Sequence, residues 1–344
     1  MLMKLPRRLW LWLGAIGGLL ALYWVLRDFD LNQFVDVLSG ANYFPLLLLP
    51  LFIALEQVFR AIKWRQFLFR FRPIGVWRLF GAIMIGYFSN FFAPFGVSPL
   101  VRGLLIARLA NLRLSTVLAT VVLDRLTDGL VFLVFTGIVI AFFPFPGEGE
   151  TVRAGISGGA LTQLIIFAVI ILGLIGIKFA IGKKAEIFNF IPRWLPDRLA
   201  RPLESFLRNF LDGAVLPEQA WRRVVVVIAA VAIKLIAVAH IFWAGLAFDV
   251  ILGLMDYVVL MVFLGFLHVL SVSLKIVGGF TIGAVFALRA FGVDVETALA
   301  MAVIVQAASL LTVAITGTAA LFIQGLKLSD LMATGRGDPQ SEAP

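Results

Sequence analysis

Two aspartates and an arginine lie inside one long apolar segment, residues 115–143. Asp124 and Asp128 are four positions apart and share one face of a helix, and Arg125 can reach Asp128 three positions further on. Charges at membrane depth cost roughly 3 kcal/mol or more each, so they pair and face the protein interior. The pattern predicts either a site that handles a charged group or couples protons, or a structural ion pair between helices.

A second apolar segment, residues 77–113, is interrupted at 90–99. The break contains Asn90 and Pro94, and Arg102 follows it. A broken helix frees backbone N–H and C=O groups that lipid cannot satisfy, so such breaks survive where protein buries them or where they line a cavity. Helix ends beside a cation also favour an anion. We therefore expect an anion site at this break.

A third apolar segment, residues 257–291, is interrupted at 271–279. Lys275 and the pair Gly278-Gly279 lie in this break. Lys275 can serve the same anion site, or it can simply extend to water. Paired breaks in the two halves of a membrane chain indicate a transport-type site.

The composition identifies the class of protein. Of 344 residues, 61% are hydrophobic and only 14% are charged, whereas soluble domains carry roughly 25% charged residues. Apolar runs of about 18 to 30 residues predict an all-α polytopic integral membrane protein and not a barrel, whose strands need only about 10. The net charge of +9 fits positive-inside sorting and anionic headgroups better than nucleic acid.

The chain offers little for metal or redox chemistry. It has no cysteine, which excludes disulfides and thiolate ligands, and only two histidines. No phosphate-binding loop, zinc-protease helix or nucleophile elbow occurs. We predict no catalytic residue, metal or cofactor.

Hydropathy predicts about six full spans, and flanking charges assign their sides. A short interfacial helix is expected at 31–40, amphipathic helices on the inner leaflet at 185–220, and a disordered tail at 333–344. Both termini should be cytoplasmic, in the inner or plasma membrane. The spans are predicted at 9–26, 43–62, 115–143, 155–181, 224–248 and 297–326.

The two broken segments are predicted to be re-entrant hairpins. The first is basic at both ends and the second acidic at both ends, so they should enter from opposite faces. Residues 77–143 and 257–326 would then form an inverted repeat.

Basic residues elsewhere add further candidates. Arg60, Lys63 and Arg65 end the second predicted span, where they can contact inner-leaflet phosphates or act only as topology signals. Lys234 and His240 lie in an apolar span and are candidate partners for the aspartates.

Four motifs in order resemble one family, the flippase-like transmembrane domain of lysylphosphatidylglycerol synthases and its stand-alone relatives. The resemblance covers roughly residues 10–325 and implies a single flippase-like domain over 1–332. It also implies that Asn90, Pro94, Arg102, Arg125, Asp128 and Gly278-Gly279 are site residues. The motifs are Arg60-Ala-Ile-Lys63-Trp64-Arg65, Asn90-x3-Pro94-x7-Arg102, Asp124-Arg125-Leu126-x-Asp128 and Gly278-Gly279.

The chain also departs from the family's usual pattern. Gly96, Ser98 and Pro99 stand where the first break usually carries Arg, Gly and Glu, and Ala284 stands where a Glu is expected after the second. The roles of the family's break glutamates therefore do not carry over. Without the soluble aminoacyl-transferring domain, lipid lysylation is not expected.

These observations favour a protein that binds or moves a lipid with an anionic headgroup, such as a phospholipid, a polyprenyl-phosphate or a hopanoid-type lipid. An integral-membrane enzyme that uses a lipid-linked donor is the alternative, as is a non-transporting partner of a lipid-modifying enzyme.

Overall fold

The structure, a computed structural model, describes residues 29–92, 97–145, 149–182, 197–274 and 279–325. Within these ranges the chain is helical and contains no β-strand. The helices are α1 (Leu31–Gly40), α2 (Tyr43–Leu68), α3 (Val76–Ser89), α4 (Ser98–Ala110), α5 (Leu114–Phe142), α6 (Gly149–Gly182), α7 (Asp197–Gly213), α8 (Ala220–Ala247), α9 (Leu254–Leu274), α10 (Gly279–Arg289) and α11 (Val295–Ile323).

The predicted fold class, an all-α polytopic membrane protein, is confirmed. Five described helices are long and apolar enough to cross a bilayer, namely α2, α5, α8, α11 and the Val152–Gly173 part of α6. The predicted first span, 9–26, lies outside the described residues, as do 185–196 of the predicted amphipathic region and the predicted tail, 333–344. Most of the remainder of that region forms α7, and residues 214–219 connect it to α8.

The helix α2 is longer than the hydropathy of its sequence predicts. The apolar run ends near 62, but the helix continues to Leu68 through Lys63 and Arg65. Lysine and arginine are good helix formers, and Lys63 is neutralised inside the protein by carboxylates on α5. The extra turns carry the basic side chains along the face of α5.

Each predicted break separates two helices that pack against each other. The pair α3 and α4 flanks the first break, and α9 and α10 flank the second. Pro99 lies in the first turn of α4, where its missing N–H costs nothing. The second break begins later than predicted, because the helix α9 continues through Ser271 to Leu274. The first glycine after this helix is Gly278.

The chain forms two compact units, each with its own apolar core. The first consists of residues 1–56, 132–160 and 234–312, and the second of 57–131, 161–233 and 313–344. The broken pair α9–α10 belongs to the first unit and α3–α4 to the second. The predicted single domain and the predicted inverted repeat stay predictions.

The helix α3 is held in the second unit by the end of α11. A Cβ placed on Gly317 would lie 2.6 Å from the Cβ of Phe88, so the two helices approach as closely as a glycine allows. The side-chain amide of Gln324 donates to the carbonyl of Arg78, at 3.2 Å. These contacts fix the first half of the broken pair at both of its ends.

The C-terminus of α4 is capped by a side chain from before α3. Asn111 ends the helix in the left-handed conformation, with φ 51, and Arg72 Nη1 donates to the carbonyl of Ala110 at 2.8 Å. A cation at this end of a helix is favourable.

Replacing Arg72 by methionine should lower the free energy of unfolding by about 0.5–1 kcal/mol, because it removes this charge-assisted cap. Thermal unfolding in detergent micelles measures the loss. Arg78→Met is the matched control, since the Arg78 side chain is exposed on α3 and should cost less. Equal losses in both variants would show that the cap contributes nothing.

Candidate functional site

Helix α5 aligns three polar side chains at a spacing of four residues. Thr120, Asp124 and Asp128 therefore lie along one face, within a mostly apolar helix of 29 residues. All three are buried, and Asp124 and Thr120 are 0% exposed. Two carboxylates at this depth need cationic partners.

Helix α2 supplies two of these cations. Arg60 Nη1 lies 2.5 Å from Asp128 Oδ2, and Lys63 pairs with both aspartates, at 3.0 Å from Asp124 Oδ1. Lys63 Nζ also donates to the backbone carbonyl of Asp124, at 3.0 Å. Lys63 thus joins the two carboxylates, and it is itself 0% exposed.

Helix α4 supplies the third cation. Arg102 Nη2 donates to Asp124 Oδ2 at 2.9 Å, and its guanidinium lies 4.9 Å from the centre of the Trp64 ring. The Trp64 indole N–H in turn donates to Thr120 Oγ1 at 3.0 Å. The Trp64 ring, which belongs to α2, therefore contacts the Arg102 guanidinium on one side and is hydrogen-bonded to Thr120 of α5.

Arg60, Lys63, Arg102, Asp124 and Asp128 are called the charge cluster below. Its members carry three positive charges and two negative ones. Arg102 is only 1% exposed, and its Nε and Nη1 atoms find no hydrogen-bond partner among the described residues. A buried donor without a partner costs about 1–3 kcal/mol, more when it is charged.

Close packing of the first broken pair sets the position of Arg102. A Cβ placed on Gly86 of α3 would lie 2.9 Å from the Ser98 carbonyl oxygen and 3.3 Å from the Cβ of Arg102. Only glycine leaves room for α4 this close to α3. The break thus places Arg102 against α5, as an uninterrupted helix could not.

The structure brings together only part of the predicted site. Arg102, Asp124 and Asp128 are in contact, whereas Arg125 is exposed on another face of α5 and has no hydrogen bond within the described residues. Asn90 follows the last turn of α3 and is half-buried, and its Oδ1 has no partner among the described groups. Gly279 is the first residue of α10.

Other predicted site residues lie elsewhere or outside the described ranges. Pro94, Lys275 and Gly278 belong to 93–96 and 275–278, which the structure does not describe. Arg60 and Lys63, assigned above to inner-leaflet contacts or to topology, are buried in the charge cluster. Arg65 is half-buried, and its Nε has no partner in the described part of the chain.

Sequence reasoning missed three side chains of this site. Trp64 and Thr120 orient Arg102, and Gln57 Oε1 accepts from Arg60 Nε at 3.2 Å. The sequence could have indicated Thr120 as a site residue, since it lies one helical turn before Asp124 on the same face. Lys234, a candidate partner of the aspartates, lies over the Phe132 ring, with its Nζ at 5.3 Å from the ring centre.

The chemistry open to this arrangement is ionic recognition. Both carboxylates are engaged by ammonium or guanidinium groups, so a metal ion would have to displace those cations before it could bind. The unpartnered Nε and Nη1 atoms of Arg102 leave charged N–H donors that can bind phosphate or carboxylate oxygens. The cluster is thus better suited to an anion than to a metal ion.

Comparison with known proteins identifies the family. The sequence profile of the lysylphosphatidylglycerol synthase TM region matches residues 11–317, most of the chain. Comparisons with curated proteins and with solved structures gave no significant match. The chain therefore belongs to the lysylphosphatidylglycerol synthase TM region family, and it is a multi-pass membrane protein with a membrane lipid-related function.

Proposed function

We propose that the protein binds an amphipathic lipid with an anionic headgroup and moves it between the leaflets of the bilayer. The observation that carries this proposal is the guanidinium of Arg102, which is 1% exposed yet has Nε and Nη1 without partners among the described groups. A cation that is only partly paired in a low-dielectric surrounding attracts an anionic oxygen strongly.

The surroundings of Arg102 support an anionic ligand. Arg102 lies in the second turn of α4, whose first turn has no side-chain cap from the described residues. The positive end of the α4 helix dipole adds to the positive potential of the guanidinium. Asn90, at the other side of the same break, has a buried unpartnered oxygen that can accept a hydrogen bond from a headgroup donor.

Movement of the lipid, and not only binding, is supported by the broken helices. In membrane transporters, half-helices whose ends point at the substrate lie near the middle of the bilayer. We propose that α3–α4 and α9–α10 are re-entrant hairpins that enter from opposite faces, with Lys275 and Gly278-Gly279 acting at the second break. Asp124 and Asp128 would hold the cations in place between binding events.

The absence of a nucleotide-binding motif supports a proposal about the energy source. No nucleotide-binding motif occurs in the chain, so we propose that movement is downhill or coupled to an ion. We also propose that the protein lies in the inner or plasma membrane, with both termini in the cytoplasm. An enzyme that uses a lipid-linked donor remains the alternative that the experiment below must reject.

The decisive experiment is reconstitution of the full chain into vesicles that contain fluorescent phosphatidylglycerol or fluorescent phosphatidylcholine. Arg102→Lys keeps one charge beside Asp124 but removes the planar donors. We expect the movement of phosphatidylglycerol to fall about tenfold, the equivalent of one lost charge-assisted hydrogen bond. Phosphatidylcholine, whose headgroup carries no net charge, should be much less affected.

Arg108→Lys is the matched control, because Arg108 is exposed on the same helix and lies outside the charge cluster. It should behave as the unchanged protein. Vesicles in which the protein moves neither lipid faster than protein-free vesicles would contradict the proposal. Metal-dependent turnover of a lipid-linked donor that requires Asp124 would favour the enzyme instead.

A further inference from the structure

A second group of polar side chains lies inside the apolar spans of the first compact unit. His240 and Trp243 are three positions apart on α8 and share a face. His240 Nε2 and Trp243 Nε1 are both buried and have no hydrogen-bond partner in the part of the chain that the structure describes. An ionisable side chain in a membrane span usually serves a function, and its partner identifies that function.

A carboxylate on α2 lies on the side of that helix that faces α8. Phe52 and Glu56 are four positions apart on that helix and share a face. The Phe52 ring lies 5.8 Å from the Trp243 ring, and Glu56 acts electrostatically on His240. Phe52 of α2 therefore lies opposite Trp243 of α8. One helical turn further along, Glu56 lies on the side of α2 that faces His240.

The backbone shows the relative direction of the two helices. The N–H of Asn42, just before α2, donates to the carbonyl of Ala247 at the end of α8, at 2.8 Å. Positions that increase along α2 thus meet positions that decrease along α8, so the helices are antiparallel in this unit. Among the described residues, Glu56 is the charged group that acts on His240. Lys234, on the same helix as His240, lies over Phe132.

We propose that Glu56 and His240 form a proton-binding pair, and that uptake and release of this proton couples lipid movement to a proton gradient. This inference rests on the proposed function. The imidazole binds the proton and the carboxylate stabilises the resulting imidazolium. Histidine is the side chain that changes charge between about pH 5 and 8. Both side chains are half-buried.

The first test is nuclear magnetic resonance of the full chain in lipid nanodiscs, labelled with ¹⁵N-histidine. The chain contains only two histidines, so His268→Gln leaves the signal of His240 alone. We expect that signal to change between pH 5 and 8. Glu56→Gln should move the pH at which it changes by roughly one unit, since it removes the charge that acts on the imidazole. A signal that stays constant, or one that Glu56→Gln leaves unmoved, would overturn the pair.

The second test asks whether the proton is coupled to the lipid. The readout is the ratio of phosphatidylglycerol movement with and without an imposed pH gradient, and one coupled proton can change it by up to about tenfold per pH unit. The ratio should fall to one in His240→Gln. Phe242→Leu, a change at a more exposed position of the same helix, should keep the ratio of the unchanged protein.

The outcomes separate this inference from the function on which it rests. A ratio of one in the unchanged protein would overturn the coupling while leaving the lipid movement established. If the unchanged protein moves no lipid at all, the proposed function and the coupling both fail. The titration of His240 then still decides whether the pair binds a proton.

Discussion

Replacing Lys63 by methionine should lower the free energy of unfolding by about 3–5 kcal/mol, the cost of leaving one partner of a buried ion pair without its counter-charge. Lys63 is 0% exposed and pairs with both Asp124 and Asp128. Methionine keeps most of the side-chain length, so the loss reports charge and not volume. Unfolding in mixed micelles, followed by helical circular dichroism, measures it.

A double-mutant cycle distinguishes the ion pair from general disruption. Asp128→Asn added to Lys63→Met should recover part of the loss, because the second variant removes a carboxylate that the first one left unpaired. Arg70→Met is the control. Arg70 pairs with Glu218 at the surface, where both side chains are at least half exposed, and such pairs contribute at most about 1 kcal/mol. A loss for Lys63→Met no larger than that of Arg70→Met would show that the charge cluster is not structural.

Replacing Gly86 by alanine should cost about 2 kcal/mol and reduce lipid movement as well. The new Cβ would lie 2.9 Å from the Ser98 carbonyl oxygen, a backbone atom that cannot turn away as a side chain can. The helices α3 and α4 must therefore separate, and overpacking of this kind costs about 1–3 kcal/mol. Because Arg102 lies on α4, its contacts with Trp64 and Asp124 should loosen together.

Gly137→Ala provides the matched comparison. A Cβ at Gly137 on α5 meets no described atom within 4 Å, so the same change there should be neutral or stabilise the helix by up to about 1 kcal/mol. The two variants differ only in what the methyl group meets. Equal thermal stability of the two would mean that the close approach of α3 and α4 is not required for folding. Equal rates of lipid movement would mean that it is not required for function.

The amino-acid sequence determined the class and the local elements of this protein. Uninterrupted apolar runs predict spans, because a bilayer leaves backbone groups no partner outside a helix. The break after α3 was visible through its Pro and Gly residues. Asp124 and Asp128 could be placed on one face because a helical period depends only on spacing. The end of α2 was misplaced, since hydropathy treats Lys63 as if it were in water.

Only the tertiary structure decided which cations meet these aspartates. Arg125 is the nearest cation in the sequence, but it is exposed, and the ion pairs come from α2 and α4, 61 or more positions away for Lys63 and 22 for Arg102. Sequence spacing constrains neighbours within one or two turns of a helix, whereas contacts between helices depend on packing. The glycine contact at Gly86 and the Trp64 ring set that packing. Neither carries a charge, and a single sequence does not show that Trp64 contacts Arg102 or that Gly86 faces Ser98.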